Sequence, residues 1–218
     1  MKQPFSTHQF WRPMGIFLDT FLFHNLVLVQ AVGLCPIIAA GVNLKYGVTL
    51  TVCTLAALLP TSLLMSVLGD RLSAWLRPPV YTVTAAILLL AASFLIDRFV
   101  STELYASLYV FLPLMAVNSI VTYRAGGFSV QNRPSAALVD ALGSALGFGV
   151  VICVVSALRE MATNNTLWDV PLPFSVSLPE AALPFAAFIM LGFMAAFLQW
   201  LKTTAGAVRA RKKGEEAA

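Results

Sequence analysis

Cys35 is the residue in this 218-residue chain whose neighbours point most directly to chemistry. It stands in the stretch Asn25-Leu-Val-Leu-Val-Gln-Ala-Val-Gly33-Leu-Cys35-Pro36, inside an otherwise apolar run. Gly33 allows backbone angles that other residues avoid, and Pro36 removes an amide donor. Together they predict a helix broken near its middle, with Cys35 at the break and Pro36 in the first turn of a new half-helix. The open amides and positive dipole end of that half-helix suit an anionic group such as a metal-bound thiolate. Leu112-Pro113-Leu-Met-Ala-Val-Asn118-Ser119-Ile120 is a weaker echo. There a proline and an asparagine interrupt a second apolar run, and Asn118-Ser119 takes the place that Leu34-Cys35 holds in the first. The pattern alone leaves two readings open. One is a buried site where two broken helices meet. The other is the proline and glycine common in membrane helices, with a cysteine as small apolar filler.

Fewer signals accompany these. Asp140 is a carboxylate inside an apolar run, which suits ion or proton passage, or else is a helix N-terminal charge favoured by the dipole. Cys53 and Cys153 lie within uninterrupted apolar segments and read as packing. His24 and Asn25 stand where the first run begins, and an interfacial histidine is the ordinary reading there. Gly143, Ser144, Gly147 and Gly149 line one segment with small residues, which predicts close helix packing, a subunit interface being one place for it. There is no CxxC pair, no histidine cluster and no GxGxxG fingerprint.

The elements that must position these residues follow from composition. Apolar residues make up 59% of the chain and charged ones 11%, against about 45–50% and about 25% in soluble domains. So little charge cannot coat a water-soluble particle, and three cysteines exclude a disulfide scaffold. The chain reads as an all-α integral membrane protein, and its net charge of +4 is no nucleic-acid signal. A span needs about 20 apolar residues. Six are expected: Thr20 to Leu44, Tyr46 to Gly69, Pro78 to Ile96, Leu104 to Tyr123, Ser135 to Leu158 and Ala181 to Leu201. They divide residues 20–203 into repeats of about 20–99 and 104–203, between an interfacial N-terminal segment 1–19 and a basic tail 204–218. Three helices is an odd number, so the two halves lie in opposite orientations. Helices one and four, the interrupted pair, then meet near the midplane, the mark of an inverted repeat. With six crossings, eleven Lys and Arg fall on the side of the termini and three on the other, which puts both termini in the cytoplasm. Arg124 and Arg133 read as membrane-flanking charges on that side.

The chain resembles the six-helix membrane subunits shared by the Rnf complex and the sodium-pumping NADH:quinone reductase, nearest the RnfE/NqrD branch. The stretches that carry this are Asn25 to Pro36, Pro113 to Phe128, and Asp140-Ala-Leu-Gly-Ser-Ala-Leu-Gly-Phe148 closed by Ala157-Leu-Arg-Glu160. The resemblance implies a subunit of an ion-translocating oxidoreductase, not catalytic alone, in a bacterial-type cytoplasmic membrane. It implies a homologous RnfA/NqrE-like partner of opposite orientation, and flavin- and iron–sulfur-bearing subunits on the two faces. It also implies an intramembrane [2Fe-2S] cluster held by two cysteines from each of the paired chains, the usual four-thiolate set. Cys35 matches the first family cysteine, but Ser119 stands where the second is expected, and Tyr123 and Gly126 also depart from the pattern. Three readings follow: a cluster kept with Cys35 and Ser119, a substitute ligand, or a divergent relative without the cluster. That last form would be a transporter component or a structural assembly subunit.

Overall fold

The computed structural model describes residues 17, 20–21, 26–99, 102–168, 170–171 and 178–216. Asn25, His24 and nearly all of the N-terminal segment lie outside the described residues. Two short helices, α1 (Leu26–Gln30) and α2 (Leu34–Ala40), precede the long helices α3 (Leu44–Leu68) and α4 (Arg77–Phe99). A segmented run follows: α5 (Thr102–Leu108), α6 (Phe111–Ala116) and α7 (Ser119–Tyr123), continued by a π-helical turn Arg124–Phe128 and a last turn Ser129–Gln131. Then come α8 (Pro134–Asn164), a two-residue hairpin pairing Thr166–Leu167 with Val170–Pro171, a 3-10 turn Pro179–Ala182, and α9 (Pro184–Glu216).

Helices α3 and α8 form the centre and run antiparallel. Gly47 faces Ser156 near one end, Thr51 faces Gly149 and Cys153, and Gly69 faces Val130, just before α8 begins. A Cβ at Gly149 would stand 2.3 Å from the Thr51 methyl, so only glycine permits this approach. The small-residue stripe therefore packs inside the chain: Gly143 meets Phe17 and Thr20, and Gly149 meets α3. Thr54 and Thr61 return their hydroxyls to the carbonyls of Leu50 and Ala57, both at 2.7 Å, so neither hydroxyl is left bare in apolar surroundings. Helices α4 and α9 flank this centre and leave large side chains exposed, among them Ile87, Leu90 and Phe94 on α4 and Phe188, Phe193 and Phe197 on α9. Apolar residues on that scale face lipid or another subunit.

Among the described residues four helices, α3, α4, α8 and α9, are long and apolar enough to cross a membrane. The run from Thr102 to Gln131, bent by 60° at Tyr109-Val110, is either a broken fifth span or a re-entrant loop. The expected first span, Thr20 to Leu44, is described as α1 and α2, each too short alone. The fifth expected span does not stop before Arg159-Glu160 as the sequence suggested. Its helix continues to Asn164, because both charges are buried and bonded rather than solvated. The basic tail continues α9 as helix to Glu216.

Candidate functional site

Both expected helix interruptions are present. The first follows α1, where Ala31 (φ 55°) and Gly33 (φ 81°) turn through the left-handed region. Gly33 is the N-cap of α2, and Cys35 and Pro36 lie in its first turn, as the spacing predicted. The second comes at Val117-Asn118. Asn118 leaves the helical region (φ −61°, ψ 137°) and caps α7, its side-chain oxygen accepting the Ile120 amide at 3.4 Å. Its amide nitrogen contacts the Met115 sulfur at 3.8 Å.

The two breaks touch. The Gly33 amide donates to Ser119 Oγ at 2.9 Å, across 86 residues of sequence, and Ser119 donates onward to Asn118 Oδ1 at 3.4 Å. A Cβ on Gly33 would stand 2.4 Å from Ile120 Cδ1 and 3.5 Å from Asn118 Oδ1. The position where the resemblance implies a second cysteine thus carries a hydroxyl that ties one break to the other. Cys35 is exposed on the isolated chain, as is Ser119. Cys53 is buried within α3, and Cys153 is half-buried in α8 with Thr51 Oγ1 at 4.0 Å. All three cysteines are free, and among the described residues no group of three His, Cys, Asp or Glu side chains could hold a metal ion.

Each half-helix runs from the shared break to a buried charge on α8. Beyond α7, Arg124 is buried and its guanidinium meets Asp140 Oδ1 at 2.8 Å, where Thr20 also donates at 3.0 Å. The rings of Tyr123 and Phe128 lie 5.8 and 6.0 Å from the guanidinium carbon. Arg124 is therefore no solvated flanking charge, as the sequence suggested, and Asp140 is one partner of an internal ion pair. At the end of α2, Arg159 donates to the carbonyls of Ile38 at 3.0 Å and Gly41 at 3.1 Å. Asp140 and Arg159 are nineteen residues apart on one helix, about 28 Å at 1.5 Å per residue. α2 and α7 thus leave the break in opposite directions. Sequence reasoning missed the work of Arg159, Glu160 and Thr20. The available signal was an opposite-charge pair, Arg159-Glu160, continuing an apolar helical run.

The chain matches a family described as Rnf-Nqr subunit, membrane protein, over residues 14–195. An ion-translocating oxidoreductase complex subunit from Shewanella sp. strain ANA-3, of the RnfE type, is 33% identical over 192 residues, covering 79% of this chain and 81% of that protein. Proteins of the same description from Shewanella putrefaciens and Shewanella oneidensis are each 32% identical, with the same coverage.

Proposed function

This chain belongs to the Rnf-Nqr family of membrane subunits, and from that premise we propose that it carries electrons within an ion-translocating oxidoreductase complex. It is a multi-pass membrane protein. The observation that carries the proposal is the contact between the two helix breaks, Gly33 on Ser119, with Cys35 exposed beside it. In the full reading α1 with α2 forms span one and α5 to α7 forms span four. The protein then has six spans in two inverted halves over residues 20–203. The opposite courses of α2 and α7 support this, and an anchor spacing of about 28 Å against a hydrocarbon thickness of about 30 Å supports a break near the midplane. The excess of Lys and Arg on the side of the termini supports cytoplasmic ends in a bacterial-type inner membrane.

Cys35 fits a shared [2Fe-2S] site as one soft thiolate donor directed outward, with a homologous partner of opposite orientation supplying others. Ser119 is a harder, less usual donor than the expected thiolate, and its hydroxyl is engaged with the Gly33 amide and Asn118 Oδ1. Such a cluster, when bound, supplies one-electron relay between flavin- and iron–sulfur-bearing subunits on the two faces. The chain's own part is positional: Gly33 turns the backbone to present Cys35, Asn118 caps the facing half-helix, and Ile120 packs against the turn. The engagement of Ser119 favours one second reading, a relative without the cluster that serves as a transporter component or structural subunit.

Electron paramagnetic resonance of the reduced, purified complex separates them, with Cys35→Ala beside the wild type. The proposal expects a [2Fe-2S] signal that the substitution removes. No signal, or one indifferent to Cys35→Ala, refutes the ligand role.

A further inference from the structure

Arg159 and Glu160 close the Ala157-Leu-Arg-Glu160 stretch, and the electron-carrying role makes no use of them. Both are buried, at 1% and 2% exposure, at the end of the membrane helix α8. Arg159 spends its donors on backbone carbonyls of two separate segments. Nη1 reaches Ile38 and Gly41 at 3.0 and 3.1 Å, where α2 ends. Nε reaches Ala181 at 3.1 Å, and Nη2 reaches Ala182 and, at 3.5 Å, Leu183. Those three carbonyls close the turn that leads into α9.

The end of a helix leaves carbonyls without intrahelical partners and carries negative partial charge, so a cation there satisfies both needs. A guanidinium is planar, with its donors in a fixed fork. It can serve both sets of carbonyls only while they keep one separation. Glu160 secures the other side of the same junction. Its Oε2 accepts the Leu44 amide, the first of α3, at 2.7 Å, and its Oε1 accepts the Thr166 hydroxyl at 3.3 Å. The start of the exposed turn has its own tie, the Leu178 amide on the Ala162 carbonyl at 2.7 Å. Arg159 supplies the link from the end of that turn to the half-helix.

We propose that Arg159 is a positioning residue that fastens the Cys35-bearing half-helix to the exposed 178–183 segment, so that displacing the segment moves Cys35. This rests on the reading of Cys35 as the site residue. Leu178, Pro179 and Glu180 are exposed on the isolated chain, which makes the segment accessible to a subunit arriving on that face.

Hydrogen exchange of the purified complex, read by mass spectrometry, tests the link in wild type, Arg159→Lys and Arg159→Gln. Arg159→Gln is expected to speed exchange roughly tenfold or more in peptides covering both 34–43 and 178–186, with 124–131 unchanged. Lysine keeps the charge but not the fork, so at least one of the two segments loosens. The resonance signal that depends on Cys35 shifts in both variants at unchanged iron content. Faster exchange in only one segment of Arg159→Gln overturns the link. If that variant does not fold, wild-type exchange throughout Arg159→Lys overturns it. Coupled exchange with an unshifted signal overturns the claim that the link reaches Cys35. A wild-type complex whose signal is absent, or indifferent to Cys35→Ala, refutes the Cys35 reading, while the exchange result still decides the link.

Discussion

Gly33→Ala is the substitution whose cost the geometry defines most closely. Two penalties act at this position. The backbone stands at φ 81°, where a residue with a Cβ is disfavoured by about 1–2 kcal/mol. The new methyl would also lie 2.4 Å from Ile120 Cδ1 and 2.7 Å from Cγ1, and Ile120 is fully buried. Overpacking of that kind costs about 1–3 kcal/mol. Together the expected destabilisation is about 2–5 kcal/mol, and relief of the clash pushes the Gly33 amide away from Ser119. Gly127→Ala is the control, because a Cβ there meets nothing within 4 Å and its φ is ordinary. It should stay within about 0.5 kcal/mol of wild type, as surface substitutions do. Thermal unfolding of the two variants in the same detergent gives the comparison, and hydrogen exchange of the peptide covering 31–36 localises it. If Gly33→Ala unfolds with wild type and Gly127→Ala, the two breaks do not pack as described.

Two other expectations use the same assays. Ser119→Ala removes the acceptor of the Gly33 amide and should cost about 0.5–1.5 kcal/mol while leaving the iron content of the complex unchanged; loss of iron would make Ser119 a ligand and end its description as a tie. Asp140→Asn takes the carboxylate from buried Arg124 and should cost about 3–5 kcal/mol, whereas the pair Asp140→Leu with Arg124→Met costs well under the sum of the single changes. Additive losses would show that the two charges do not act as a unit.

The sequence disclosed those parts that depend on local rules. Gly33 and Pro36 mark a break because one frees the backbone and the other lacks an amide, and Asn118 marks the second because its side chain can cap. The long apolar helices α3, α4, α8 and α9 were legible from length and composition. Whatever depends on distant partners was not. Nothing near Arg124 in sequence says that it pairs with Asp140, sixteen residues on, and nothing near Arg159 says that Ile38, 121 residues earlier, will receive its proton donors. A rule that counts Arg and Lys as loop residues is right on average and fails for these two. Their neighbours in space supply the carbonyls and carboxylate that water would otherwise supply. The serine at 119 was legible as a departure from the cysteine pattern, but its bond to Gly33 needed the two halves brought together.

A broken helix is costly within a membrane, since lipid offers no partner to a freed amide or carbonyl. The arrangement around α8 meets that cost at both kinds of end. Where the breaks meet, the amide of Gly33 finds Ser119 and the amide of Ile120 finds Asn118. Where α2 stops, Arg159 takes the carbonyls of Ile38 and Gly41, and Glu160 takes the first amide of α3. Where the run beyond α7 turns, the buried charge of Arg124 is met by Asp140. One helix thus anchors both half-helices from its two ends, and their free ends join between the anchors. A surface ordered in this way loses less ordering entropy when another molecule binds it.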